Sequence, residues 1–204
     1  MSAVRIIIFA KAPQAGLAKT RLIPALGAEG AARLAQRMLQ VTVASAQAAA
    51  LGPLQLCLTP PPADPAWANF TWAAGVELRG QGEGDLGQRM ARAVEQGVQQ
   101  GLPVLLIGTD CPQLTPALLH QAAQALFSHD SVLFPASDGG YVLLGLRRAN
   151  PRVFAGIAWS SASVAASTRA RLAELGWSLF EGPELDDIDD PEDLPKLPAG
   201  WLPG

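Results

Sequence analysis

Several short stretches bring together side chains suited to chemistry on phosphates. In Ala10 to Leu22, Lys11, Lys19 and Arg21 lie within eleven residues, with Gly16 between them. Three cations on one loop suit a polyphosphate, lysine acting as a point charge and arginine as a two-pronged fork. Backbone N–H groups freed by Gly16 could add contacts. The stretch is not a P-loop, because Ala18 rather than glycine precedes the Lys19-Thr20 pair. A solvated basic loop is the simpler alternative. Further on, Val104 to Ile107 is an unbroken apolar run, followed by Gly108-Thr109-Asp110-Cys111-Pro112. Such a run reads as a strand buried on both faces. In open α/β sheets ligands bind at the carboxyl ends of those strands. Asp110 is therefore either a ligand-facing carboxylate or the cap of the next turn. The tail supplies Asp187, Asp189 and Asp190 ahead of Pro191. Mg²⁺ is commonly held by one or two carboxylates plus substrate phosphates. Asp110 and one tail aspartate would meet that need, although acids before Pro191 also suit a helix start.

Two glycine-rich stretches could border such a site. Gly80 to Gly87 contains Gly82, Gly84, Asp85 and Leu86 just before a helical pattern. Glycines let backbone approach a ligand, and a helix N-terminus favours anions. Asp85 could equally be a plain N-cap. The second stretch is Asp138-Gly139-Gly140-Tyr141, where Asp138 could orient an acceptor or act as a base, or simply make a turn. Trp159-Ser160-Ser161 could line a pocket. Nothing marks Cys111 as a nucleophile, and His120 and His129 lie in unremarkable helical and loop contexts.

The elements that must position these residues follow from periodicity and punctuation. Strands are expected at Val4 to Phe9, Leu54 to Leu58, Val76 to Leu78, Val104 to Ile107, Ser131 to Phe134, Tyr141 to Leu146 and Trp177 to Phe180. Helices are expected at Glu29 to Ala50, Leu86 to Gln100, Thr115-Pro116 to about Phe127, and Val164 to Leu175. Strands alternating with helices mean βαβ units, a mostly parallel sheet and three αβα layers. The 204 residues suit one domain with a full core, with a loosely held end from Pro195.

Composition narrows the function classes. Hydrophobic residues make up 49% and charged residues 16%, a globular balance. A net charge of −3 argues against a nucleic-acid partner held by phosphate neutralisation. The two cysteines, Cys57 and Cys111, have no paired spacing, so a reducing cytoplasm is the expected setting. No secretory leader or membrane span is expected.

Phe9-Ala10-Lys11-Ala12-Pro13 with Gly16 and Lys19-Thr20-Arg21-Leu22 resembles the opening of a bacterial family of GT-A-fold glycosyltransferases. So do Gly84-Asp85-Leu86-Gly87 with Arg89-Met90, Gly108-Thr109-Asp110-Cys111-Pro112, and Asp138-Gly139-Gly140-Tyr141. That family is associated with radical-SAM, selenocysteine-domain and arsenosugar-biosynthesis gene neighbourhoods, and the resemblance runs from Ile6 to Leu194. It implies the nucleotide-diphospho-sugar transferase fold, with a mixed, mostly parallel sheet and one antiparallel strand. Lys19-Thr20-Arg21-Leu22 also looks like the corresponding stretch of phospholactate guanylyltransferases. Asp110 matches the superfamily's metal aspartate, and Asp189 its second metal position. Asp190 stands where threonine is usual, and Ser161 where threonine often follows Trp-Ser.

Together these readings lead to a Mg²⁺- or Mn²⁺-dependent transferase acting on a nucleotide-activated substrate and a small acceptor. Asp110 and Asp189 would hold the metal. Lys11, Gly16, Lys19, Arg21, Gly82, Gly84, Asp85 and Leu86 would hold the nucleotide, and Lys19, Arg21 and Asp138 would assist the chemistry. Asp138, Gly139, Gly140, Tyr141 and Trp159 would meet the acceptor. The resemblance favours glycosyl transfer. The alternative is nucleotidyl transfer with pyrophosphate release, which a lone Asp110 and three basic residues suit better. A non-catalytic nucleotide-binding module is the remaining alternative.

Overall fold

The computed structural model describes residues 3–201. Its centre is a seven-stranded sheet: β1 (Arg5–Lys11), β2 (Leu54–Thr59), β3 (Val76–Gly80), β4 (Val104–Ile107), β5 (Ser131–Pro135), β6 (Tyr141–Leu146) and β7 (Leu179–Glu181). The strands lie in the order β3-β2-β1-β4-β6-β5-β7. All neighbours are parallel except β6, which runs antiparallel to both β4 and β5. This is the mixed, mostly parallel α/β architecture expected from the sequence. β1 reaches Lys11, two residues beyond the expected Phe9, so the first basic side chain sits on the strand's carboxyl end. β7 starts at Leu179, two residues later than expected.

Four helices cover the sheet: α1 (Ile23–Ala49), α2 (Leu86–Gln99), α3 (Pro116–Ala125) and α4 (Val164–Glu174). Side chains alternate along a strand, and the core divides accordingly. Ile6 and Ile8 of β1 pack with Leu39 of α1 and Leu119 of α3. Ile7 faces the other way, into a second layer with Met90 and Val94 of α2 and Leu172 of α4. α1 begins earlier than the expected Glu29 because a first turn precedes Gly27. That residue departs from helical geometry at φ 71°, leaving the long alanine-rich segment to follow it. α3 starts as its sequence suggests, with Thr115 accepting from the Leu118 N–H and Pro116 at the first helical position.

The chain after β7 returns across the carboxyl ends of the strands. Leu185 N donates to Pro135 O at 3.0 Å, and Ser137 N donates to Leu185 O at 3.0 Å. Ile188 N then donates to Asp110 O at 2.9 Å. These bonds stitch the acidic segment to the loops after β4 and β5. Ile188 is anchored beneath it, buried with Leu22, Leu34 and Met38. Leu197 and Trp201 pack against the same cluster.

Candidate active site

At the carboxyl ends of β1 and β4 lies a cavity of about 730 Å³. Its floor carries a tight constellation of charges. Lys19 Nζ is 2.7 Å from Asp110 Oδ1 and 2.5 Å from Asp189 Oδ1. The lysine side chain is only 8% exposed, while the two carboxylates are 42% and 39% exposed. Burial opposes charge on Lys19, but Asp110 and Asp189 outweigh it and hold its pKa above the ordinary lysine value. Lys19 also adopts a left-handed backbone, φ 47°, immediately before a short 3₁₀ turn (Thr20–Leu22). Non-glycine residues rarely sit there, so the surrounding loop must hold it in place.

The other two basic residues take different positions. Lys11 lines the cavity from the end of β1 and donates to the Leu17 carbonyl at 2.7 Å. Arg21 lines the mouth, 63% exposed, with its guanidinium 3.4 Å from Asp190 Oδ2. Gly16 shapes the loop between them at φ 78° and does not itself line the cavity. The tail aspartates thus divide: Asp189 turns to the floor, and Asp190 to the rim. The Asp189 and Asp190 N–H groups both donate to Asp193 Oδ2, at 3.1 and 2.9 Å, which fixes this divergence.

The glycine-rich stretch after β3 contributes chiefly Leu86 to the cavity. Asp85 is committed to a capping box, accepting from Gln88 N at 2.8 Å while Gln88 Oε1 accepts from Asp85 N at 3.0 Å. Gly82 and Gly84 take positive φ, 75° and 99°, which L side chains rarely adopt. A Cβ on Gly82 would meet the Arg92 guanidinium, and one on Gly84 the Gln88 amide. Arg92 and Arg89 of α2 hold the loop by donating to the carbonyls of Gln81, Glu83 and Gly84.

On the opposite wall stands Asp138, whose Oδ1 accepts from Gly140 N at 2.8 Å. Gly139, at φ 89°, presses so closely on the Ala162 carbonyl that no Cβ would fit. This contact brings Ser160, Ser161 and Ala162 onto the cavity wall. Tyr141 does not face the cavity. It packs in the α2-side core with its hydroxyl 4.0 Å from Met90 Sδ, and burial raises its pKa. Trp159 likewise packs in that core, its indole against Gly87, leaving the residues after it to line the site. Burial pushes the Cys111 thiol up to about 12, so it holds no thiolate at neutral pH.

Two residues that lie within those stretches but were given no role from the sequence also belong here. Gln81 is buried on the wall and donates to the carbonyls of Cys57 at 3.0 Å and Ala10 at 3.3 Å. Asp187 is held near Asp110; burial pushes its carboxyl up to about 7, with Asp110, Asp189 and Asp138 adding to the shift. The sequence signals for Gln81 are its place directly after a strand and inside the glycine-rich Gly80 to Gly87 stretch. For Asp187 the acidic run is visible in the sequence, but its fold-back is not.

Two carboxylate oxygens converging on one cation match the protein's share of a Mg²⁺- or Mn²⁺-type site, which substrate phosphates and water complete. Among the described residues no set of three or more His, Cys, Asp or Glu side chains is arranged to hold an ion by itself.

The strand order, the single reversed strand and a cavity at the carboxyl ends of β1 and β4 define a nucleotide-diphospho-sugar transferase-like (GT-A) fold. Within that class, the chain belongs to the family described as an uncharacterized protein conserved in bacteria (DUF2064), which matches residues 42–161. A crystal structure of a candidate nucleotide-diphospho-sugar transferase from Desulfovibrio desulfuricans is 31% identical to it. The match covers 93% of this chain and 84% of that one, with a TM-score of 0.85. The 2-C-methyl-D-erythritol 4-phosphate cytidylyltransferase of Thermus thermophilus shares the fold at 19% identity, covering 95% and 96% of the two chains, TM-score 0.55. So does Rv0371c of Mycobacterium tuberculosis in complex with manganese, at 18% identity, 96% and 98% coverage and a TM-score of 0.53. Comparison with curated proteins finds no match. No helix among the described residues is long and apolar enough to cross a membrane.

Proposed function

We propose that the protein is a divalent-metal-dependent transferase acting on a nucleotide-activated substrate, and that its reaction is nucleotidyl transfer to a small phosphorylated acceptor. The observation that carries this reading is the convergence of Asp110 and Asp189, each within 2.7 Å of one cation, on the floor of a cavity that Lys11 and Arg21 also line. A bound metal would supply charge neutralisation and alignment of the phosphates. Lys11 and Arg21 bind phosphate oxygens and offset charge on the departing group. Leu86 packs on the nucleotide, supported by the capped start of α2. Asp138, fixed by the Gly139-Gly140 turn, orients the acceptor. In the reaction, an acceptor phosphate oxygen attacks the α-phosphorus of a nucleoside triphosphate, the bond to the β-phosphate breaks, and pyrophosphate leaves.

Glycosyl transfer is the second reading. It is supported by the 31%-identical relative, itself a candidate nucleotide-diphospho-sugar transferase. Favouring nucleotidyl transfer are the single aspartate in Gly108-Thr109-Asp110, where sugar transferases of this fold usually show an Asp-x-Asp pair, and the three cations of the first loop. The experiment is incubation with Mg²⁺, a panel of nucleoside triphosphates and nucleotide sugars, and a pool of small phosphorylated and hydroxylic acceptors. Pyrophosphate release supports the first reading, and nucleoside diphosphate release from a sugar nucleotide the second. Absence of binding to every panel member overturns both.

A further inference from the structure

The chain itself supplies the cation that Asp110 and Asp189 share. Lys19 reaches both carboxylates with a side chain only 8% exposed, from a left-handed backbone that L residues seldom adopt. An ammonium bonded to those two oxygens stands where a divalent ion bound to the same oxygens would stand. On those same two oxygens the two cations would compete, since cations at contact repel. The neighbouring cations do not take part in this competition. Lys11 is bonded to a backbone carbonyl and Arg21 to Asp190 at the rim.

Resting on the metal-dependent reading above, we propose that Lys19 is a resident counter-ion of the metal site, displaced when metal arrives together with a polyphosphate. The charge count explains the order. Asp110 and Asp189 carry two negative charges, which a divalent ion neutralises in full. Lys19 is then left without a partner, and phosphate oxygens beside the metal supply one. Metal alone must expel a buried ammonium with nowhere to go. Metal with a nucleoside triphosphate lets the ammonium exchange one anionic partner for another. Lys19 is thus a positioning residue that couples metal binding to nucleotide binding, and such coupling is reciprocal.

Mn²⁺ titrations followed by the EPR signal of the free ion test this on the full chain, with and without each of the four ribonucleoside triphosphates. Lys19→Met should bind Mn²⁺ alone about tenfold more tightly than the unaltered protein, within the usual range of coupling between sites. The gain in Mn²⁺ affinity brought by the triphosphate should shrink in the same variant. Lys19→Gln, which keeps donors but loses the charge, carries the same expectation if Lys19→Met does not fold. Equal or weaker Mn²⁺ binding by the folded variant overturns the proposal. If that binding is nevertheless abolished by Asp110→Asn, the transferase reading stands without it. No Mn²⁺ binding by the unaltered protein, even with nucleotide, overturns both.

Discussion

Asp189 lies 170 residues after Lys19 and accepts a 2.5 Å hydrogen bond from its Nζ. That contact closes the site with the last acidic segment of the chain. Asp190, one residue on, pairs instead with Arg21 at 3.4 Å in a largely exposed contact and shares a capping box with Asp193. The two aspartates should therefore behave differently. Asp189→Asn is expected to weaken Mg²⁺-dependent triphosphate binding by more than about tenfold, as loss of a charged metal-site group does. Asp190→Asn should change it by less than about threefold, the scale of an exposed ion pair. Isothermal titration of both variants checks this, and equal losses would contradict the placement.

The wall formed by Asp138 and residues 160–162 depends on Gly139. Its φ of 89° disfavours any side chain, and a Cβ would overlap the Ala162 carbonyl. Gly139→Ala should cost roughly 2 kcal/mol or more, combining backbone strain with overpacking. At Gly16, φ is 78° and a Cβ would meet nothing within 4 Å, so a substitution there carries only the strain. Gly16→Ala should therefore cost about 1 kcal/mol. Urea unfolding of the two variants separates the contributions, and equal losses would show that the Ala162 contact is not tight.

Away from the site, Asp130 ties the start of β5 to the residue before β7. Its Oδ2 accepts from Ser178 N and Oγ, both at 3.0 Å, and its Oδ1 from Arg148 at 2.8 Å. The Ser178 N–H, aided by the serine hydroxyl and Arg148, holds this carboxyl below its ordinary value despite some desolvation. The stabilisation is complete above the unfolded carboxylate value near pH 4 and fades as pH falls through the lowered folded value. Asp130→Asn should cost on the order of 1 kcal/mol at pH 7, with the difference shrinking towards pH 3. A difference that stays constant across that range would contradict the ionic origin.

The fold was legible because its signals are local. Val104 to Ile107 is apolar at every position and buried at every position, and the alternation of strands with helices dictated parallel crossovers. The basic loop and Asp110 were legible for the same reason, since a strand's carboxyl end is readable from the run preceding it. What escaped depends on distant contacts. Tyr141 follows a turn that faces the cavity, yet the sheet's pleat and the position of α2 send its ring towards Met90. Gly82 and Gly84 carry a ligand-loop composition and take the positive φ of a turn, while the Asp85 carboxylate is engaged in capping α2 through Gln88. The sequence alone could not choose among the tail aspartates. The resemblance pointed to Asp189, and the fold-back that turns it to the cavity floor runs through the bond from Ile188 N to the Asp110 carbonyl, between segments far apart in the chain.

The role proposed for Asp110 is to anchor a metal-dependent nucleotide site. The most direct test is triphosphate binding to Asp110→Ala by isothermal titration with and without Mg²⁺, with circular dichroism confirming the fold. The expected result is a folded protein in which Mg²⁺ no longer strengthens nucleotide binding. Unchanged affinity and unchanged Mg²⁺ dependence in that variant would contradict it.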